Sequence, residues 1–166
     1  MTLSGNTAMS KKSKLIFVYA IGIIIGLLYV ISSINKTYTF DSLLLNRNNT
    51  KITSCTIDIY FSDGSSITYP LDLMSHSYTQ LIHTLQTTQY KKTLGSILGD
   101  HASSFPIKSG PFFRLFFTYS NDVQQEFILN GQYLLVGFPR SSDGLSAYLI
   151  SDNITLMGNL QHLFLS

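Results

Sequence analysis

The chain has 166 residues, of which 45% are apolar and 12% charged, with a net charge of +2 and a single cysteine. A composition this apolar and this poor in charge excludes an intrinsically disordered chain. The charge is unevenly divided: Lys11, Lys12 and Lys14 precede a long apolar run, and with them set aside 8 basic residues face 9 acidic ones. A nearly neutral remainder lacks the clustered Lys and Arg needed to displace counterions, so nucleic acid is excluded as a partner.

The apolar run, Leu15 to Ile34, holds 20 residues without a charge. At 1.5 Å per residue it reaches about 30 Å, the thickness of the hydrocarbon layer, and predicts one transmembrane helix. Tyr19 and Tyr29 sit toward its two ends, where amphipathic rings favour the headgroup region. The three lysines in front predict a cytoplasmic tail over 1–14 and a domain outside the cell membrane. A cleaved signal peptide shares the basic flank, but the run exceeds a usual signal core and no Ala-x-Ala follows it. Gly22 and Gly26 form a Gly-xxx-Gly strip that another helix could approach, which would make a homodimer through the span. The expected partners are therefore the lipid bilayer and a protein or a second copy.

Residues 35–51, rich in Asn, Ser and Thr, read as a tether, and the domain is expected over 52–166. Ile57, Ile59 and Phe61 alternate with polar residues before Ser62-Asp63-Gly64 turns the chain into Ile67, Tyr69 and Leu71. A three-residue loop with Gly64 in the left-handed region sets Ile59 opposite Ile67 and Ile57 opposite Tyr69, so apolar residues meet apolar residues. Ser77 and Gln80 match a capping box, and Tyr78, Leu81, Ile82 and Leu85 share one face of a helix expected to run to about Lys92. Gly95 to Gly110 forms a long connection. Strands follow at Phe112 to Tyr119, Gln124 to Leu129, Gln132 to Phe138 and Leu145 to Ile150, separated by turn residues. Leu156, Met157, Leu160, Leu163 and Phe164 make one face of a closing helix. The predicted fold class is α+β, ordered ββαββββα after the transmembrane helix, an antiparallel sheet with two helices packed on one face.

The basic N-terminus, the single span, the strand-turn start Thr56-Ile57-Asp58-Ile59-Tyr60-Phe61-Ser62-Asp63-Gly64 and the terminal helix together resemble the small, membrane-anchored extracytoplasmic domains of unassigned function found in Gram-positive bacteria. The resemblance covers most of the chain through generic features, and it implies a fold and a location but no site residue.

Chemistry-bearing patterns are few. There is no Gly-x-Ser-x-Gly elbow, no phosphate-cradling loop and no His-Glu-x-x-His. Cys55 lies in an alternating apolar stretch and reads as buried. His83 and His162 fall away from the apolar stripes of their helices, His76 precedes the expected cap and His101 sits in a loop beside Asp100. No third ligand stands at metal spacing, so neither metal nor cofactor is expected. Two functions compete. One is a binding or regulatory module that contacts a protein or an envelope component and is not an enzyme. The other is an envelope-acting enzyme with its site near Asp100, His101 and the loop 103–110. In Phe112-Phe113-Arg114-Leu115-Phe116-Phe117 both strand faces are apolar. Helices on one side leave Phe112 and Phe116, or else Phe113, Leu115 and Phe117, as a partner surface, unless the connection before them or the tether folds over.

Overall fold

The structure is a computed structural model, and it describes residues 11–45, 50–98, 111–138 and 144–166. The first element, α1 (Lys11–Asn35), is long and apolar enough to cross a membrane, and nearly all its side chains are exposed. Lys36 alone separates it from β1 (Thr37–Tyr38), which leads through α2 (Phe40–Leu43) to the hairpin β2 (Ile52–Tyr60) and β3 (Ser66–Leu71). Then come α3 (His76–Thr87), β4 (Tyr90–Lys92), α4 (Leu94–Ile97), the meander β5 (Phe112–Tyr119), β6 (Gln124–Asn130), β7 (Tyr133–Gly137) and β8 (Ser146–Ile150), and finally α5 (Asn153–Leu165). The eight strands among the described residues form one antiparallel sheet, in the order β1-β4-β8-β7-β6-β5-β2-β3. The α+β class is as the sequence predicts.

The β2–β3 register follows from its loop. Ile59 faces Ile67 and Ile57 faces Tyr69, and Gly64 turns at φ +84, a conformation in which a Cβ would be strained. The Asp63 carboxylate accepts from the Ser65 amide and hydroxyl, which closes the turn.

One face of the sheet is a continuous core. Cys55, Ile57 and Ile59 of β2, Phe113, Leu115 and Phe117 of β5, Phe127 and Leu129 of β6 and Leu134 of β7 are buried together with Leu81 and Leu85 of α3 and Leu156 and Leu160 of α5. The two longer helices that follow α1 therefore lie on one face, α3 against α5, each offering the apolar stripe that its periodicity predicts.

Three local expectations are corrected. The stretch read as a tether is part of the domain: Phe40 is wholly buried, its ring 5.9 Å from Phe117 and 5.1 Å from Phe127. The buried Gln125 clamps the residues just after Phe40, donating from Nε2 to the Leu43 carbonyl (2.7 Å) and accepting at Oε1 from the Leu45 amide (2.9 Å) and the Tyr119 hydroxyl (2.6 Å). The domain thus begins at Thr37 rather than Ile52; residues 46–49 lie outside the described residues. The helix expected to reach Lys92 ends at Thr87. Hydroxyls of Thr87 and Thr88 bond back to helix carbonyls, and Tyr90 to Lys92 instead extend the sheet beside β8. Its cap is Ser75, whose Oγ accepts from the Tyr78 amide at 3.1 Å, so Ser77 already lies inside the helix.

Antiparallel neighbours sort the connections between two ends of the sheet. The end where α1 enters collects the starts of β1, β2, β6 and β8 and α4. The far end carries the 62–64 loop, the start of β5 and the start of α5.

Candidate functional site

The alternation of β5 decides which side chains remain available. Phe113, Leu115, Phe117 and Tyr119 are buried beneath the helices, while Phe112, Arg114, Phe116 and Thr118 point to the opposite face and are half-buried. Register completes the surroundings: Tyr60, Asp58 and Thr56 of β2 stand beside Phe112, Arg114 and Phe116, and on the other side Ile128 and Glu126 of β6 stand beside Arg114 and Phe116. The Tyr60 and Phe112 rings stack with centroids 4.5 Å apart and planes within 6°. The Arg114 guanidinium lies 4.7 Å from the Phe116 ring centroid, and its Nε donates to Glu126 Oε1. Burial works against the Arg114 charge, but Glu126 and Tyr60 outweigh it and hold the pKa above the usual guanidinium value. Glu126 is almost wholly buried, so Arg114 is kept in place by a carboxylate that needs it.

Cover on this face varies across the sheet. Ser66, Thr68 and Pro70 on the β3 edge are exposed, the aromatic strip is half-buried, and Leu135 and Ala147 farther across are buried. Leu145 lies over Gly137, where an added Cβ would come within 2.4 Å of its Cδ2. The result is a shelf of two stacked rings, a phenyl ring and a guanidinium, rimmed by Asp58 and Thr68, whose side chains hydrogen-bond to each other at 2.7 Å.

The edges of the sheet offer less. One is β1, only two residues long. On the other, the Phe61 amide donates to the Ser65 carbonyl at 2.9 Å, so alternation points position 70 outward from β3, and Pro70 has no N–H to present there.

Other predicted positions are scattered. Gly22 and Gly26 lie on α1 with nothing within 4 Å of where their Cβ atoms would be. Asp100, His101 and the loop 103–110 lie outside the described residues. Cys55 is buried, and desolvation pushes its thiol up to about 12, so it is no nucleophile at neutral pH. His83 and His162, read separately from sequence as solvated, line one open groove of about 480 Å³ between α3 and α5, with Thr79, Gln80, Thr84, Asn159 and Leu163. The signal for that proximity was their shared position on the outer faces of two helices, legible only once the helices are known to be neighbours. No carboxylate lines the groove, and among the described residues no group of three or more metal-ligating side chains occurs. It therefore offers neither a metal cage nor an acid–base pair. Compared with known proteins, the chain matches no family model, no curated protein and no solved structure.

Proposed function

We propose that this protein is a membrane-anchored binding module whose partner, the extracytoplasmic part of another protein, docks on the shelf formed by Tyr60, Phe112, Arg114 and Phe116. The observation that carries the reading is the half-exposed aromatic strip on the sheet face that the helices leave open. Aromatic rings and Arg dominate binding energy at protein interfaces, because they bury large area with few rotatable bonds. Here the rings are already stacked and the guanidinium already held, so little conformational entropy remains to be lost on docking. Pro70 and the two-residue β1 argue against strand addition at an edge, which favours the face.

In this reading α1 crosses the bilayer with Lys11, Lys12 and Lys14 on the cytoplasmic side, and the domain lies outside. Protease added to intact cells stripped of their wall then removes the domain and leaves a short protected fragment. A domain that resists until the membrane is opened refutes the orientation.

Docking is tested with a photo-crosslinking phenylalanine analogue at Thr68, on the rim. A discrete adduct should form in cells and disappear when Phe116→Ser is added, with the melting midpoint lowered by only a few degrees, about what a loss of 1 to 2 kcal/mol gives. An adduct that survives Phe116→Ser, or no adduct at all, sinks the shelf as the binding surface. An adduct at twice the mass of the chain identifies the occupant as a second copy instead.

A further inference from the structure

We infer that α4 is a bilayer-seating element: Leu94 and Leu98 enter the outer headgroup region beside the end of α1 and fix the domain flat against the membrane. The inference rests on reading α1 as a span and goes beyond it, because a span alone leaves the attached domain free to swing.

Covalent geometry limits how far the domain can move from the span but not how it tilts. Only Lys36 lies between the last helical residue of α1 and β1, and β1 is immediately paired, Thr37 with Lys91 and Tyr38 with Tyr90. A single residue spans less than about 4 Å, so the sheet edge stays at the level where α1 ends. Packing agrees with this seat, since α1 contacts both β4 and α4. On α1 those contacts fall at its end: Val30 and Ser33 are partly buried, and Ile34 is less exposed than Ile31. With Leu15 to Ile34 filling the hydrocarbon layer, α4 touches the span at its outer boundary.

The orientation of α4 is set by the sheet. The Thr93 amide donates to the Ala147 carbonyl at 3.0 Å, the Ala147 amide donates to Ser96 Oγ at 3.1 Å, and Thr93 Oγ1 caps the helix by accepting from the Ser96 amide at 3.2 Å. With the Ser96 side chain tied to β8, Leu94 and Leu98, four residues apart, face outward together and are 52% and 68% exposed. Two exposed leucines rigidly held beside the mouth of a spanning helix meet headgroups and upper acyl chains there, not water.

The flanking charges suit that environment. Lys36, Lys91 and Lys92 surround the junction, Lys36 with its Nζ 5.0 Å from the centroid of the half-buried Tyr38 ring. Tyr and Lys at a span's end are the usual interfacial anchors, the ammonium reaching phosphate while its stem and the ring stay in less polar surroundings. Anionic headgroups are the matching ligand.

The test uses the full chain, with Cys55→Ala, reconstituted into vesicles of phosphatidylcholine and phosphatidylglycerol. Single cysteines replace Leu94, Leu98, Ile24 in mid-span and Ile154, an 81% exposed residue at the start of α5 on the far end of the sheet. Each carries an environment-sensitive fluorophore. Emission at 94 and 98 should shift to shorter wavelength, fall when nitroxide is placed on the lipid acyl chains, and resist aqueous iodide; Ile154→Cys should behave in the opposite way. Deep quenching at 24 with iodide-accessible labels at 94 and 98 overturns the seating alone. Absence of lipid quenching at 24 overturns the span, and the seating with it. Melting of each labelled protein guards against misfolding, and either leucine position suffices if the other variant unfolds.

Discussion

The two faces of one β-strand, β5, have opposite fates. Phe113, Leu115 and Phe117 are fully buried beneath α2, α3 and α5, whereas Phe112 and Phe116, one residue away and chemically identical to two of them, stay half-covered. The helix-covered face also holds its polar groups in closed arrangements. Gln125 satisfies three partners, and the Tyr90 hydroxyl donates to the Leu85 carbonyl at 3.0 Å. The open face holds Asp58 with Thr68 at its rim and Arg114, tied to the buried Glu126, within the shelf. Apolar character by itself thus does not separate core from surface here; what sits above each ring does.

The contrast yields four measurements on the full chain in detergent, ranked by expected size. Phe117→Ala should cost about 4 kcal/mol, because it removes a ring from a packed site that cannot collapse. A cost near ~1 kcal/mol in urea unfolding would mean that the helices do not close over this face. Gln125→Leu should cost about 2 to 3 kcal/mol by stranding the Leu43 carbonyl and taking the acceptor from the Tyr119 hydroxyl, which leaves the Leu45 amide with Tyr119 Oη alone. If the residues before 46 were a free tether the change would be neutral, and hydrogen exchange at Leu45 would be as fast in the parent as in the variant.

Alkaline pH should act on the covered face next. Desolvation raises the pKa of Cys55, from 9.0 to about 12, and also raises those of Tyr78, Tyr90, Tyr119 and Tyr148. Each group is protonated more readily folded than unfolded, so its stabilisation is complete below the unfolded pKa and is lost as pH rises through the folded one. For Cys55 that window is pH 9 to 12, and the share lost by pH 10.5 is about 2 kcal/mol. Unfolding in reductant at pH 8 and pH 10.5 should show Cys55→Ala losing less stability over that interval than the parent. Equal losses would place the thiol in contact with water. The smallest effect belongs to the open face: Phe116→Ser should cost about 1 to 2 kcal/mol, the partial burial term of a Phe side chain that stays in contact with solvent. A loss of about 3 kcal/mol or more would put Phe116 in a second core and remove the shelf.

Local periodicity made much of this fold legible. The uncharged run from Leu15 to Ile34, the alternation along β2, and the i, i+3, i+4 stripes of Leu81 with Leu85 and Leu156 with Leu160 are properties of neighbouring residues, so they can be read without knowing what packs on them. The hairpin register was legible for the same reason, since a loop of stated length permits one pairing that keeps Ile57 and Ile59 against apolar partners.

Only the tertiary structure decided the rest. Phe40 and Leu43 join the core through Gln125, a residue more than 80 positions away, and nothing in the Asn- and Ser-rich surroundings of Phe40 announces that partner. Tyr90 to Lys92 read in sequence as the end of α3 but pair with β8, because an open sheet edge satisfies their backbone groups as well as further helical turns would. The same holds for the candidate site. The sequence narrowed the available aromatics to one face or the other of Phe112 to Phe117, and the stacking of Tyr60 on Phe112 came from a register between strands separated by some fifty residues. Side-chain period follows from the backbone of one strand; which face is covered depends on where two distant helices land.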